Sequence, residues 1–161
     1  MVHVQRTFSV TPDPATVVDY LADFSRAEQW GPGTKTCTTT STGPVGVGST
    51  WHNVSEVKGK ETELDYELTV LEPDHLTFVE QNKTATSVDD ITVVADGTGS
   101  SITCDSNITF HGLAKLADPF MHNEFEKLGD ETVESMTTTP QRPLNQRPRR
   151  GEVSSCRPCA S

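Results

Sequence analysis

Two residues of this 161-residue chain, Tyr66 and Glu80, point most directly to chemistry. Tyr66 falls in phase with Leu64 and Leu68, and Glu80 falls in phase with Leu76 and Phe78. Residues in phase within a strand share one face. A phenol and a carboxyl are therefore expected on the dry side of a sheet. A hydroxyl placed there must find a partner, and a carboxyl's pKa must rise. Such groups can orient a ligand or carry a proton as general acid or base. Glu80 also stands near a strand end, from which it could reach water instead.

The other candidates are weaker. Histidines 3, 52, 75, 111 and 122 are scattered, and no pair has the i, i+4 spacing of a helical metal site. His122 falls on the expected last helix, near the mouth of any interior space, and an ordinary exposed position is its competing account. Trp51 and His52 must face opposite ways on one strand. Trp30, beside Gly31-Pro32, is expected to plug the core under the short helices or to join a pocket rim. Cys156-Arg157-Pro158-Cys159 offers two ligands where structural zinc takes four, and it lacks the βαβ context of a redox motif. P-loop, dinucleotide and nucleophile-elbow patterns are missing. Neither metal nor cofactor is expected.

The elements that must position these residues are legible from period and punctuation. His3 to Val10 alternates as a strand, with Val4, Arg6, Phe8 and Val10 on one parity. Asp13 then offers a cap and Pro14 a first helical residue, with Val17, Val18, Leu21 and Phe24 at helical spacing. A second short turn, Ser25 to Trp30, stops at Gly31-Pro32-Gly33. Six strands are expected next: Lys35 to Thr42, Ser49 to Lys58, Lys60 to Leu71, His75 to Lys83, Val88 to Ala95 and Ser101 to His111. The third is the clearest, with Leu64, Tyr66, Leu68 and Val70 against Glu63, Asp65, Glu67 and Thr69. The last places Ile102, Cys104, Ser106, Ile108 and Phe110 on one parity. Leu113 to Ala117 reads as a short approach to a helix from Pro119 to about Thr138, opened by Asp118-Pro119. That helix carries Phe120, Met121, Phe125, Leu128, Thr132 and Met136 along one stripe. Gly129 in its middle suggests a bend or a close approach.

The net charge of −10 hides a split. Residues 1–139 hold eight Lys and Arg against 22 Asp and Glu, whereas 140–161 holds five Arg against Glu152 alone. An acidic body repels nucleic acid and anionic membrane surfaces. The tail, rich in Pro and Arg, buries too little apolar surface to order itself and is expected to be disordered. With neither a signal-like start nor a membrane-length apolar run, the chain reads as a soluble, cytoplasmic protein, its cysteines reduced. Monomer is the expectation for its assembly.

At the residue level the chain resembles the polyketide cyclase/dehydrase branch of the START-like (SRPBCC) superfamily. The matching pieces are the helix Val17 to Phe24 ending in Asp23-Phe24, Trp30-Gly31-Pro32-Gly33, Val47-Gly48-Ser49, Glu72-Pro73, Asp96-Gly97-Thr98-Gly99 and Asp118-Pro119. The resemblance implies an α+β helix-grip fold over residues 1–139. In it a curved seven-stranded antiparallel sheet grips the last helix across a cavity. It carries over no catalytic signature, and the tail 140–161 has no counterpart in it.

Parity and the resemblance together nominate a cavity lining of Leu64, Tyr66, Leu68, Leu76, Phe78, Glu80, Ile108, Phe110, Phe120, Met121, His122, Phe125 and Leu128. A filled core would show the same pattern. The expected function is binding of a small apolar molecule such as a lipid, polyketide or aromatic metabolite. The alternatives are a cyclase or dehydratase using cavity acid/base groups, and a protein-partner module. Deleting Pro140 to Ser161 should leave the melting temperature nearly unchanged in a thermal scan; a large drop would show a docked tail.

Overall fold

The structure, a computed structural model, describes residues 1–57, 59–112 and 118–138. The expected approach segment at 113–117 and tail from 140 lie outside the described residues, as do the side chains of Phe120 and Met121.

The chain opens with strand β1 (Val2–Val10) and helix α1 (Pro14–Ala22). Asp13 caps α1: its carboxylate accepts from the Thr16 amide at 3.1 Å and from the Thr16 hydroxyl at 2.8 Å, and Pro14 fills the first turn. Asp23 ends the helix and starts a single 3-10 turn (Phe24–Arg26), which leads into the four-residue helix α2 (Ala27–Trp30). Six strands follow: β2 (Thr34–Thr39), β3 (Thr50–Val57), β4 (Lys60–Glu72), β5 (His75–Gln81), β6 (Ala85–Asp96) and β7 (Gly99–Phe110). Helix α3 (Asp118–Thr138) closes the described chain.

Among the described residues the strands form one antiparallel sheet in the order β1-β7-β6-β5-β4-β3-β2. The helices between β1 and β2 carry the chain from one edge of the sheet to the other, and each later strand pairs with the strand before it. Cross-strand partners align in rows: Tyr66 pairs with Glu80, Glu80 with Ser87, and Asp89 with Ser106.

Two departures from the expected pattern have local causes. A bulge in β4 falls between Leu68 and Val70. It adds one residue and flips the alternation. Leu71 rather than Val70 then packs on the core, opposite Leu76. Strand β6 begins at Ala85, three residues earlier than its apolar alternation suggests. The Asn82 side chain sets that start by accepting from the Thr84 and Ala85 amides at 2.8 and 2.9 Å.

The inner face of the sheet is covered in two places. Under α1 and α2 lies the main core, built from Val17, Leu21, Phe24, Trp51, Leu68, Leu76, Phe78 and Val93, with Met136 reaching it from α3. A second cluster, Val2, Val4, Ile108 and Phe110, meets Phe125 of α3. Helix α3 thus bridges the clusters and packs mainly on β1. Arg6 of β1 fastens it there, donating to Glu126 at 2.6 Å and to Asp130 at 2.7 Å.

At Gly129 α3 passes close to β1. A Cβ at this position would stand 3.1 Å from Cγ1 of Val4 and 3.5 Å from Cγ of Arg6. Gly129→Val should therefore push α3 off the sheet and cost about 1–3 kcal/mol, the usual range for overpacking. A calorimetric melt should show this as a fall of several degrees. An unchanged or raised midpoint would mean that α3 stands clear of β1.

Candidate functional site

Between the sheet and α3 lies a cavity of about 430 Å³. Phe24, Trp30, Tyr66 and Phe78 form one wall. Phe24 stacks on Tyr66 with ring centroids 4.1 Å apart and meets Trp30 edge-on at 5.7 Å. Val4, Ile108 and Phe110 close the β1–β7 side, and Phe125, Leu128, Thr132 and Met136 of α3 form the roof.

Across the floor runs a row of polar side chains supplied by four adjacent strands: Tyr66, Glu80, Ser87 with Asp89, and Ser106. Register accounts for the row, since each of these residues faces inward on its own strand. The row is bonded within itself. Glu80 has Tyr66, Asp89 and Ser87 as hydrogen-bond partners, and Asp89 adds Ser106. The Ser87 hydroxyl donates to Asp89 Oδ1 at 3.4 Å.

The electrostatics follow from this placement. Burial, reinforced by the neighbouring Asp89 carboxylate, pushes the Glu80 carboxyl up to about 8. Burial also raises Asp89, while its bonds to Ser106, Glu80 and Ser87 act in the opposite direction. Asp89 disfavours the charge on Glu80, and the Glu80 proton favours the charge on Asp89. Glu80, at about 8, is therefore the member of the pair that holds a proton at neutral pH. Burial holds the Tyr66 phenol well above its ordinary value, so it remains a neutral donor. Burial likewise lifts the thiols of Cys104, on the cavity wall, to about 12 and Cys37 to about 11; neither is a nucleophile at pH 7. The Trp30 indole N–H is buried and has no partner among the described residues.

The nominated residues divide. Leu64, Tyr66, Phe78, Glu80, Ile108, Phe110, Phe125 and Leu128 line the cavity. Leu68 and Leu76 do not: both are fully buried in the main core, because parity fixes which face a residue takes but not how far along the strand the helices cover it. His122 does not line the cavity either. It sits on the flank of the inward stripe of α3, half exposed, with its Nε2 3.9 Å from Glu126. Phe120 and Met121 lie outside the described side chains. Sequence reasoning missed Asp89, Ser87, Ser106 and Phe24. Ser87 and Asp89 keep the parity of buried Ile91 and Val93, and that was the available signal.

An acid whose pKa is higher folded than unfolded binds more protons when folded, so its contribution to stability falls as pH rises. For Glu80 the fall runs from the ordinary 4.5 to about 8. Tyr66, Asp89 and Cys104 surround it from neighbouring strands, with Glu124 on α3. Glu80→Gln cannot ionise, so its melting temperature relative to the parent should climb steadily between pH 4.5 and 8. A difference independent of pH would place Glu80 in contact with bulk water.

Comparison with known proteins fits this geometry. None of the curated protein sequences matches this one. The aromatase/cyclase Zhui from Streptomyces sp. R1128 superposes with a TM-score of 0.70 at 12% identity, over 83% of this chain and 89% of its own. A START superfamily protein from Mycobacterium smegmatis superposes with a TM-score of 0.66 at 16% identity, over 88% and 96%. At such identities the likeness is one of fold. The family model for polyketide cyclase / dehydrase and lipid transport matches residues 1–139, and the chain belongs to that family.

Proposed function

We propose that this domain binds a small hydrophobic molecule in the cavity between the sheet and α3. The observation that carries this reading is the cavity itself. It is large enough for a metabolite, walled mainly by aromatic and aliphatic side chains, and floored by a polar row whose members already bond to one another. Apolar ligand surface placed there gains about 25 cal/mol per Å². Tyr66, the carboxyl pair and the unpartnered Trp30 N–H offer the few polar contacts that would orient it. The family assignment supports the same reading.

A second reading rests on the proton that Glu80 holds beside Asp89. Beside Tyr66 it forms an acid/base group in a dry site, as a cyclase or dehydratase would need. The pairing of these groups with one another favours binding without turnover. A proton donor left unpaired and aimed at the cavity centre would favour the enzyme.

Native mass spectrometry of protein purified from its host, with displacement of the neutral dye Nile red, tests the first reading. The parent should carry or take up an apolar ligand. Leu128→Trp, which puts an indole into the roof, should lose at least about tenfold in dye affinity while keeping its fold. Tyr66→Phe should weaken a polar-headed ligand with little change in stability. Dye affinity unchanged by Leu128→Trp, with no co-purified ligand, would overturn the reading.

A further inference from the structure

Among the described residues, the ionisable groups on the cavity wall are acids. Among the described residues that line it are three carboxyl groups, Glu80, Asp89 and Glu124, and no Lys, Arg or His. Of the described cations, Arg6 pairs with Glu126 and Asp130, Arg26 with Asp23, and Lys35 with Glu56 and Glu61, while Lys83, between the lining residues Asn82 and Thr84, is exposed and does not itself line the cavity. A charged carboxylate in a low-dielectric interior is costly unless a cation or several hydrogen bonds meet it. Here Asp89 has the bonds and lacks the cation. Six aromatic rings stand on the same cavity, Phe24, Trp30, Tyr66, Phe78, Phe110 and Phe125. Ring faces attract organic cations as well as apolar bodies.

From the all-acidic lining and the aromatic wall we infer that the cavity selects an amphiphilic amine: an apolar or aromatic body carrying one ammonium group, seated against Glu80 and Asp89. Free fatty acids and other apolar anions are rejected, because the site would set their carboxylate against Asp89 with no base among the described lining residues to answer it. This inference rests on the binding reading above and narrows it. Ammonium binding also ionises Glu80. The proton on Glu80 leaves for solvent, and both carboxylates then face the cation. The titratable groups around that pair are Tyr66 from β4, Cys104 from β7 and Glu124 from α3; the first two remain neutral near pH 7.

Three probes of one shape separate the possibilities: 1-naphthylmethylamine, 1-naphthalenemethanol and 1-naphthoic acid. Calorimetric titration of the full chain at pH 7, in two buffers of different ionisation enthalpy, reads affinity and protons released together. The amine should bind at least about tenfold more tightly than the alcohol, with release of close to one proton. The acid should not bind. Asp89→Asn and Glu80→Gln should each bring the amine's affinity down to within about twofold of the alcohol's in the same variant. Should the variants fail to fold, the ranking and the proton count of the parent protein still decide. Equal or tighter binding of the acid or the alcohol overturns the charge preference and leaves the cavity reading standing. Amine binding without proton release overturns the placement of the ammonium. If none of the three binds, the cavity reading falls, and this inference falls with it.

Discussion

A single curved sheet has one inner face, and every part of that face must be covered by something other than sheet. In this protein the cover is uneven. At one end α1, Phe24 and Trp51 fill the space down to Leu68 and Leu76, leaving these residues no solvent contact. At the other end α3 lies along β1, drawn in where Gly129 passes Val4 and fastened by Arg6. Between the two contacts α3 spans the sheet without touching its floor, and the cavity is that span. The interior polar groups follow from it: tight packing would leave no room for Tyr66, Glu80 and Asp89, and bulk water would leave no reason for them to pair with one another.

The architecture was legible in the chain because it is written in local signals. Asp13-Pro14 starts α1 by a cap that the structure shows bond for bond. Strict alternation in Lys60 to Leu68 gives the face of β4, and the family resemblance supplies the grip. Legibility ended where an element's face had to be turned into a place. Leu68 and Tyr66 are two residues apart on one face, yet one is sealed in the core and the other stands on the cavity. How far the packed core reaches along the strand separates them, and strand parity holds no record of it. The bulge after Leu68 has no apolar signature either, so alternation alone puts Val70 on the face that Leu71 takes.

The functional row was half visible for a related reason. Glu80 stood out because a charge among apolar residues breaks a pattern. Asp89 did not, since Asp89-Asp90 reads as an exposed acidic pair. In the structure the two part company: Asp90 turns outward to His75 and Asp89 turns inward to Ser106. A site assembled from one residue on each of four strands has no contiguous motif, so it becomes visible only when the register of the sheet is known. The rows are interchangeable positions, and changing their chemistry leaves the sheet intact.

The interior polar row requires a cavity floor dry enough to keep a proton on the buried carboxyl pair. The most direct measurement is a pH titration of the Glu80 side-chain carboxyl carbon by ¹³C NMR, in protein free of ligand. The account expects a midpoint well above the ordinary carboxylate range, near 8, with the Asp89 carbon responding to the same step. A Glu80 midpoint near 4.5, with Asp89 titrating independently, would contradict it: the row would then be solvated, and the cavity an open cleft.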